Sequence, residues 1–306
     1  MGDHVYNSDI ARRLLEYDLC RGTRGKPSMT INITTAGAEQ GSAANSIGVF
    51  DSGVGGLTVV RALMERLPFE AILYFGDTAR VPYGVKSAET ITGYARQITE
   101  FLLLRNVKLL IIACNTMAAV AYETVAGLSP VPVLDVIDAG ARAAVTATRT
   151  KKIGVIGTPA TINSNAYARA IHCRDSEIRV YSRACPLFVP LVEEGWFDHP
   201  VTRLTADEYL KPLLVERIDT LVLGCTHYPL LKGLLQDVAG PEVRLIDSAE
   251  AMAAITANLL AESGLEHPRR ILPDHRFFVT DVPHRFQAIG EHILGRPLSH
   301  VEIVKW

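Results

Sequence analysis

Cys114 and Cys225 each close an apolar run of strand length and open a polar turn. The first stands in Leu109-Leu110-Ile111-Ile112-Ala113-Cys114-Asn115-Thr116, the second in Thr220-Leu221-Val222-Leu223-Gly224-Cys225-Thr226-His227. Open α/β sheets bind ligands in the crevice beyond the carboxyl ends of their strands, so each thiol is expected to point into such a crevice. Two thiols facing one carbon from opposite sides suit the removal of a proton from one face and its return to the other. A helix opening at Cys114 is expected to lower that thiol's pKa and favour thiolate. Beside Cys225, His227 can act as an acid, a base or a counter-ion to thiolate. A lone cysteine is more often a small buried hydrophobe, and Cys173 and Cys185 read that way.

Other turns carry weaker signals. Asp51-Ser52-Gly53-Val54-Gly55-Gly56 sits between an apolar run and a helical pattern. Its glycines permit close backbone approach, and the helix start presents free N–H groups to an anion. The turn lacks the Lys-Ser/Thr ending of an ATP loop and the full GxGxxG spacing, which argues against a nucleotide site. Asp51 can cap the following helix, and it can also orient a thiol or an ammonium. Pro82-Tyr83-Gly84, shortly after Gly76-Asp77-Thr78, is turn chemistry of the kind that collects binding residues at strand ends. The apolar stretch from Cys185 to Val192 ends in Glu193-Glu194, either a surface pair or a means of bringing one carboxylate into a cleft. No CxxC or HxxxH pair accompanies the cysteines, so a metal is not expected.

The elements that must place these residues follow from the pattern around them. From Ile47 onward, short apolar runs alternate with helical patterns, which predicts largely parallel sheets covered on both faces. Ile153-Gly154-Val155-Ile156-Gly157-Thr158 echoes Ile47-Gly48-Val49-Phe50-Asp51-Ser52 at nearly the interval that separates the two cysteine runs. Two elements recurring in order indicate an internal duplication, with two α/β units facing one cleft. The chain has 306 residues, enough for two such units, and its formal charge of −2 without a long basic run argues against nucleic acid as a partner. Apolar runs stop at strand length, short of a membrane span. Five widely spaced cysteines read as free thiols in a reducing cytoplasm. Residues 1–46 read as a flexible N-terminal extension, with a short amphipathic pattern from Ile10 to Cys20 and a small, polar linker from Thr34 to Ser46.

With these segments assembled, the chain from Ile47 to Trp306 resembles the glutamate racemases of the cofactor-independent aspartate/glutamate racemase superfamily. The likeness rests on IGVFDSGVGGLTVV, YFGDTARVPYG, IIACNT, IGVIGTPATINSNAY, ACPLFVPLVE and LVLGCTHYPLL, in that order, with FFVTD and ILGRPL near the end. It implies two pseudo-symmetric, flavodoxin-like α/β domains, the first spanning 47–138 plus a return over 247–306 and the second 139–246. It implies Cys114 and Cys225 as the catalytic acid/base pair, with Asp51 and His227 assisting and Glu193 as an auxiliary carboxylate. Substrate contacts carried over are Asp51, Ser52, Tyr83, Gly84, Asn115, Thr116, Thr161, Thr226 and His227. It further implies a cytoplasmic isomerase without metal or cofactor that supplies D-glutamate for peptidoglycan. A homodimer and a peptidoglycan-precursor effector stay open. So do a related racemase of aspartate or hydantoin and a non-catalytic regulatory binding protein. Many members follow CNT with Ala and then Ser or Thr. Here Met117 and Ala118 follow, so a bulkier apolar side chain is expected to line the pocket or the adjoining core.

Overall fold

The apolar runs become the strands of two separate sheets. In the computed structural model, residues 42–298 and 300–306 are described. The expected amphipathic segment and most of the linker lie outside them. The first sheet contains β1 (Ile47–Asp51), β2 (Ile72–Gly76), β3 (Leu109–Ile112) and β4 (Val133–Asp135), joined by β9 (Arg276–Val279) and β10 (Val301–Ile303). The second contains β5 (Lys152–Gly157), β6 (Arg179–Ala184), β7 (Thr220–Gly224) and β8 (Arg244–Asp247). All pairings are parallel. The five residues of β1 and of β7 are all buried, as helices on both faces of a parallel sheet require.

The duplication is visible in the strand order. The first sheet runs β10-β9-β2-β1-β3-β4 and the second β6-β5-β7-β8, so the same four-strand pattern occurs twice. β3 and β7 are equivalent in that pattern, each lying beside the founding strand of its sheet. Cys114 and Cys225 therefore leave equivalent strand ends.

Helices follow the strands as expected: α1 (Leu57–Arg66), α2 (Ala88–Leu103), α3 (Asn115–Leu128) and α4 (Val136–Ala147) in the first half. The second half adds α5 (Pro159–Asn163), α6 (Ala166–Arg174), α7 (Phe188–Glu193), α8 (Pro200–Val215) and α9 (Lys232–Ala239). α10 (Ser248–Ser263) returns to pack on α1 and α4, and α11 (Pro283–Leu294) packs on α1. Among the described residues no helix is long and apolar enough to cross a membrane. Cys114, Cys185 and Cys225 are free thiols, and Cys20 lies outside the described residues.

One buried ion pair ties the rim of the first sheet together. Lys108, fully buried just before β3, places Nζ 2.6 Å from Glu70 Oε2 and donates to the carbonyls of Ala43 and Leu265, each at 2.7 Å. Glu70 Oε1 accepts from the His267 amide at 2.7 Å. Removing one partner leaves the other charged group buried, which costs about 3–5 kcal/mol. Lys108→Met is therefore expected to lower unfolding free energy by about that amount in urea titration, and a loss below about 1 kcal/mol would contradict the pair's role.

Candidate active site

The turn after β1 is built around Asp51. Its Oδ2 accepts the amides of Gly53 and Gly56, each at 3.0 Å, closing the loop that starts α1. Its Oδ1 lies 3.4 Å from the Thr226 hydroxyl of the other half. Capping and cross-linking thus both use this one carboxylate. Burial raises its pKa, opposed by the charge of His227 and the turn amides. The glycines are there for space. A Cβ on Gly56 would stand 2.4 Å from Asp51 Cβ, and one on Gly55 would stand 2.5 Å from Thr226 Oγ1 and 2.6 Å from His227 Nδ1.

Cys114 caps α3, its Sγ accepting the Met117 amide at 3.5 Å. That contact favours thiolate, as a helix start should, yet burial and the nearby Asp51 carboxylate outweigh it and push the thiol up to about 12. The expected lowering is overturned because desolvation exceeds the capping effect. Met117 and Ala118 are fully buried in the core and do not line the cavity. Their departure from the usual sequence is a packing change behind the thiol.

Asn115 receives a hydrogen bond from the Tyr167 hydroxyl on Oδ1 at 2.7 Å, while its buried Nδ2 has no hydrogen-bond partner among the described residues. Thr116 Oγ1 lies 2.9 Å from Thr158 Oγ1 and 3.3 Å from Thr161 Oγ1, a hydroxyl cluster across the two halves. Tyr83 donates to Asp77, which is held in turn by Arg80 Nε at 2.6 Å and the Thr280 hydroxyl at 2.9 Å. Gly84 crosses Thr158 so closely that a Cβ would lie 2.8 Å from Thr158 Cβ.

On the second half, Cys225 Sγ lies 3.8 Å from His227 Nδ1. His227 Nε2 approaches Glu193 Oε1 at 3.3 Å, an ion-pair contact without hydrogen-bond alignment. The apolar approach from Cys185 does bring one carboxylate inward: Glu193 ends α7 at the cavity, and Glu194 stays exposed. Burial works against charge on His227, but the Cys225 sulfur and the Glu193 carboxylate prevail and push its pKa up to about 10. The imidazolium is therefore expected to persist through neutral pH, with an NMR titration midpoint near 10 that falls in Glu193→Gln. An unchanged midpoint would remove Glu193 from this role. The folded value exceeds the free value of 6.5, so the contact's stabilisation is complete below that pH and is lost as pH rises through about 10.

These turns enclose a cavity of about 330 Å³. Ser52, Tyr83, Gly84, Cys114, Asn115 and Thr116 line it from one side, and Glu193, Cys225, Thr226 and His227 from the other. Asp51 and Thr161, expected as substrate contacts, do not line it. Asp51 lies beneath the glycine turn and Thr161 behind Thr158, so each reaches the cavity through a neighbour. Thr158 is on the wall and was missed, although the duplication makes it the counterpart of Ser52. The apolar lining residues Val81, Val85, Pro186, Val189 and Pro190 were also missed, for want of any chemical signal, whereas Pro82 lies in the turn that the sequence singled out. Among the described residues, no group of three or more His, Cys, Asp or Glu side chains could hold a metal ion.

Known proteins resemble this chain in sequence and fold. Residues 47–256 match the Asp/Glu/Hydantoin racemase family. The glutamate racemase of Syntrophus aciditrophicus is 75% identical over 259 residues, covering 85% of this chain and 96% of that protein. That of Neisseria meningitidis is 59% identical over 84% of this chain and 96% of its own length. The crystal structure of the Francisella tularensis glutamate racemase with D-glutamate superposes with a TM-score of 0.81 at 45% identity, covering 86% of this chain and 98% of that one. The Escherichia coli glutamate racemase, solved with L-glutamate and the activator UDP-MurNAc-ala, gives 0.70 at 27% identity over 85% and 98%. The chain belongs to the Asp/Glu/hydantoin racemase family and, within it, to the glutamate racemases.

Proposed function

We propose that this cavity interconverts L- and D-glutamate by two-cysteine acid/base chemistry, without a cofactor, and so supplies D-glutamate for peptidoglycan. The observation that carries the reading is the presence of Cys114 and Cys225, from equivalent strand ends, on the walls of one cavity. Starting from D-glutamate, the Cys114 thiolate takes the α-proton and the Cys225 thiol protonates the opposite face. Starting from L-glutamate the roles reverse, and each turnover leaves the proton on the other sulfur. One sulfur must be thiolate while its partner is thiol.

The remaining residues lower the barrier to removing a weakly acidic α-proton. The Asn115 amide and the Thr116 and Thr226 hydroxyls are donors for charge developing on the substrate carboxylate, together with N–H groups at the helix starts. His227, held cationic by Glu193, sets positive charge against the Cys225 sulfur. Asp51 bears on Cys114 with the opposite sign, which favours its protonated form. The two thiols thus meet the substrate from unlike electrostatic settings. We assign the domains as 47–138 with 247–306, and 139–246.

The test incubates the purified protein with L-glutamate in heavy water and no added cofactor. Loss of optical activity with deuterium entering at the α-carbon is the expected result. A folded sample that shows neither overturns the reading. Aspartate and a hydantoin run alongside separate the related activities, and a higher rate with UDP-MurNAc-ala present would support a precursor effector.

A further inference from the structure

Tyr167 touches both cysteine turns. It lies in the first turn of α6, almost fully buried, and its hydroxyl donates to Asn115 Oδ1 at 2.7 Å. Asn115 directly follows Cys114. The ring packs closely against two glycines. A Cβ on Gly224, the residue before Cys225, would stand 3.0 Å from Tyr167 Cε2, and one on Gly140 in α4 would stand 3.1 Å from its hydroxyl. One side chain therefore spans from the backbone beside one thiol to the amide beside the other.

The hydrogen bond has a chemical consequence. An asparagine amide presents either its oxygen or its NH2 to a ligand, and the network around it decides which. With Oδ1 occupied by the Tyr167 proton, Nδ2 is the group left for a ligand: it is buried, has no hydrogen-bond partner among the described residues, and belongs to a residue that lines the cavity. An unpaired buried donor is costly unless something accepts from it, and a substrate carboxylate would do so.

We propose that Tyr167 is a positioning residue that fixes the Asn115 amide with its NH2 toward the substrate carboxylate and braces the two cysteine turns at their working separation. The proposal rests on the racemase reading for the identity of the carboxylate, but the contact itself can be tested without turnover.

Tyr167→Phe keeps the ring in its slot and removes only the donor. It is expected to retain a cooperative melt and to lower kcat/KM for glutamate about tenfold, as loss of one buried hydrogen bond implies. In an Asn115→Ala background the same substitution is expected to change kcat/KM by less than about twofold, since the group it positions is gone. Equal effects in both backgrounds overturn the proposal. In 15N spectra, the side-chain amide pair assigned to Asn115 by its loss in Asn115→Ala is expected to shift or split in Tyr167→Phe, and an unmoved pair overturns the proposal. A further arm keeps the tyrosine. With 3-fluorotyrosine incorporated, Asn115→Ala is expected to move the Tyr167 fluorine resonance, and an unmoved signal overturns the contact. Should the wild type fail to racemise glutamate, the substrate assignment falls while the spectra still decide the positioning role.

Discussion

Replacing Cys114 or Cys225 with serine, one at a time, is expected to lower glutamate racemisation by about 10²–10⁴-fold in both directions, the range associated with losing a positioned acid/base group. Both directions suffer because each thiol acts as base for one enantiomer and acid for the other. The substitution is nearly isosteric. At Cys114 it is also conservative for the fold, because the sulfur caps α3 through the Met117 amide and serine is a preferred capping residue. Loss of activity there would not come from an unravelled helix, and a thermal melt within a few degrees of wild type checks this. Circular dichroism of the amino acid, followed from each enantiomer, measures the rate. Near-normal turnover in either variant would sink the two-thiol mechanism.

How much of this could be read beforehand depends on where the information lies along the chain. β1 and β7 are buried on both faces, so their composition alone reveals them. Residues that directly follow such strands inherit the crevice, which is why Cys114, Asn115, Cys225 and His227 were legible. The placement of β9 and β10 in the first sheet was not legible locally, since a four-residue run such as Arg276–Val279 does not say which sheet it joins. Only the family resemblance indicated that return. Thr158 and Tyr167 meet Thr116 and Asn115 by crossing from one half to the other; the duplication that pairs Thr158 with Ser52 was the one signal for the first, and nothing beside Tyr167 in sequence marks the second. The Cys114 thiol shows a different failure. A helix start was visible in the sequence, but burial and Asp51, brought close by the parallel pairing of β1 with β3, decide the sign.

The change Gly55→Ala, which adds one methyl group and touches no catalytic atom covalently, is expected to lower kcat/KM about 100-fold. Gly55 does not adopt a left-handed backbone, so alanine meets no conformational objection. The objection is space. The new Cβ would lie 2.5 Å from Thr226 Oγ1, 2.6 Å from His227 Nδ1 and 2.8 Å from His227 Cε1, closer than such contacts permit. Thr226 has little freedom to yield, because the Thr58 hydroxyl is 3.3 Å from its carbonyl and Asp51 is 3.4 Å from its own hydroxyl. His227 is held between Cys225 and Glu193, so pushing the ring outward alters both contacts. Overpacking of this kind costs roughly 1–3 kcal/mol of stability, and misplacing a reacting group by about 1 Å costs roughly 10²-fold in rate. The His227 titration midpoint is expected to fall below its value near 10 in the same variant, since the sulfur and carboxylate that raise it would no longer be in register. Gly93→Ala provides the control. It lies within α2 with open space around its Cβ position, so the substitution should leave kcat/KM unchanged and stabilise the helix by about 0.5–1 kcal/mol. Wild-type kcat/KM in Gly55→Ala would mean that the glycine turn does not set the position of His227. The reason for two adjacent glycines at the start of α1 would then have to be sought at Gly56 and Asp51 alone.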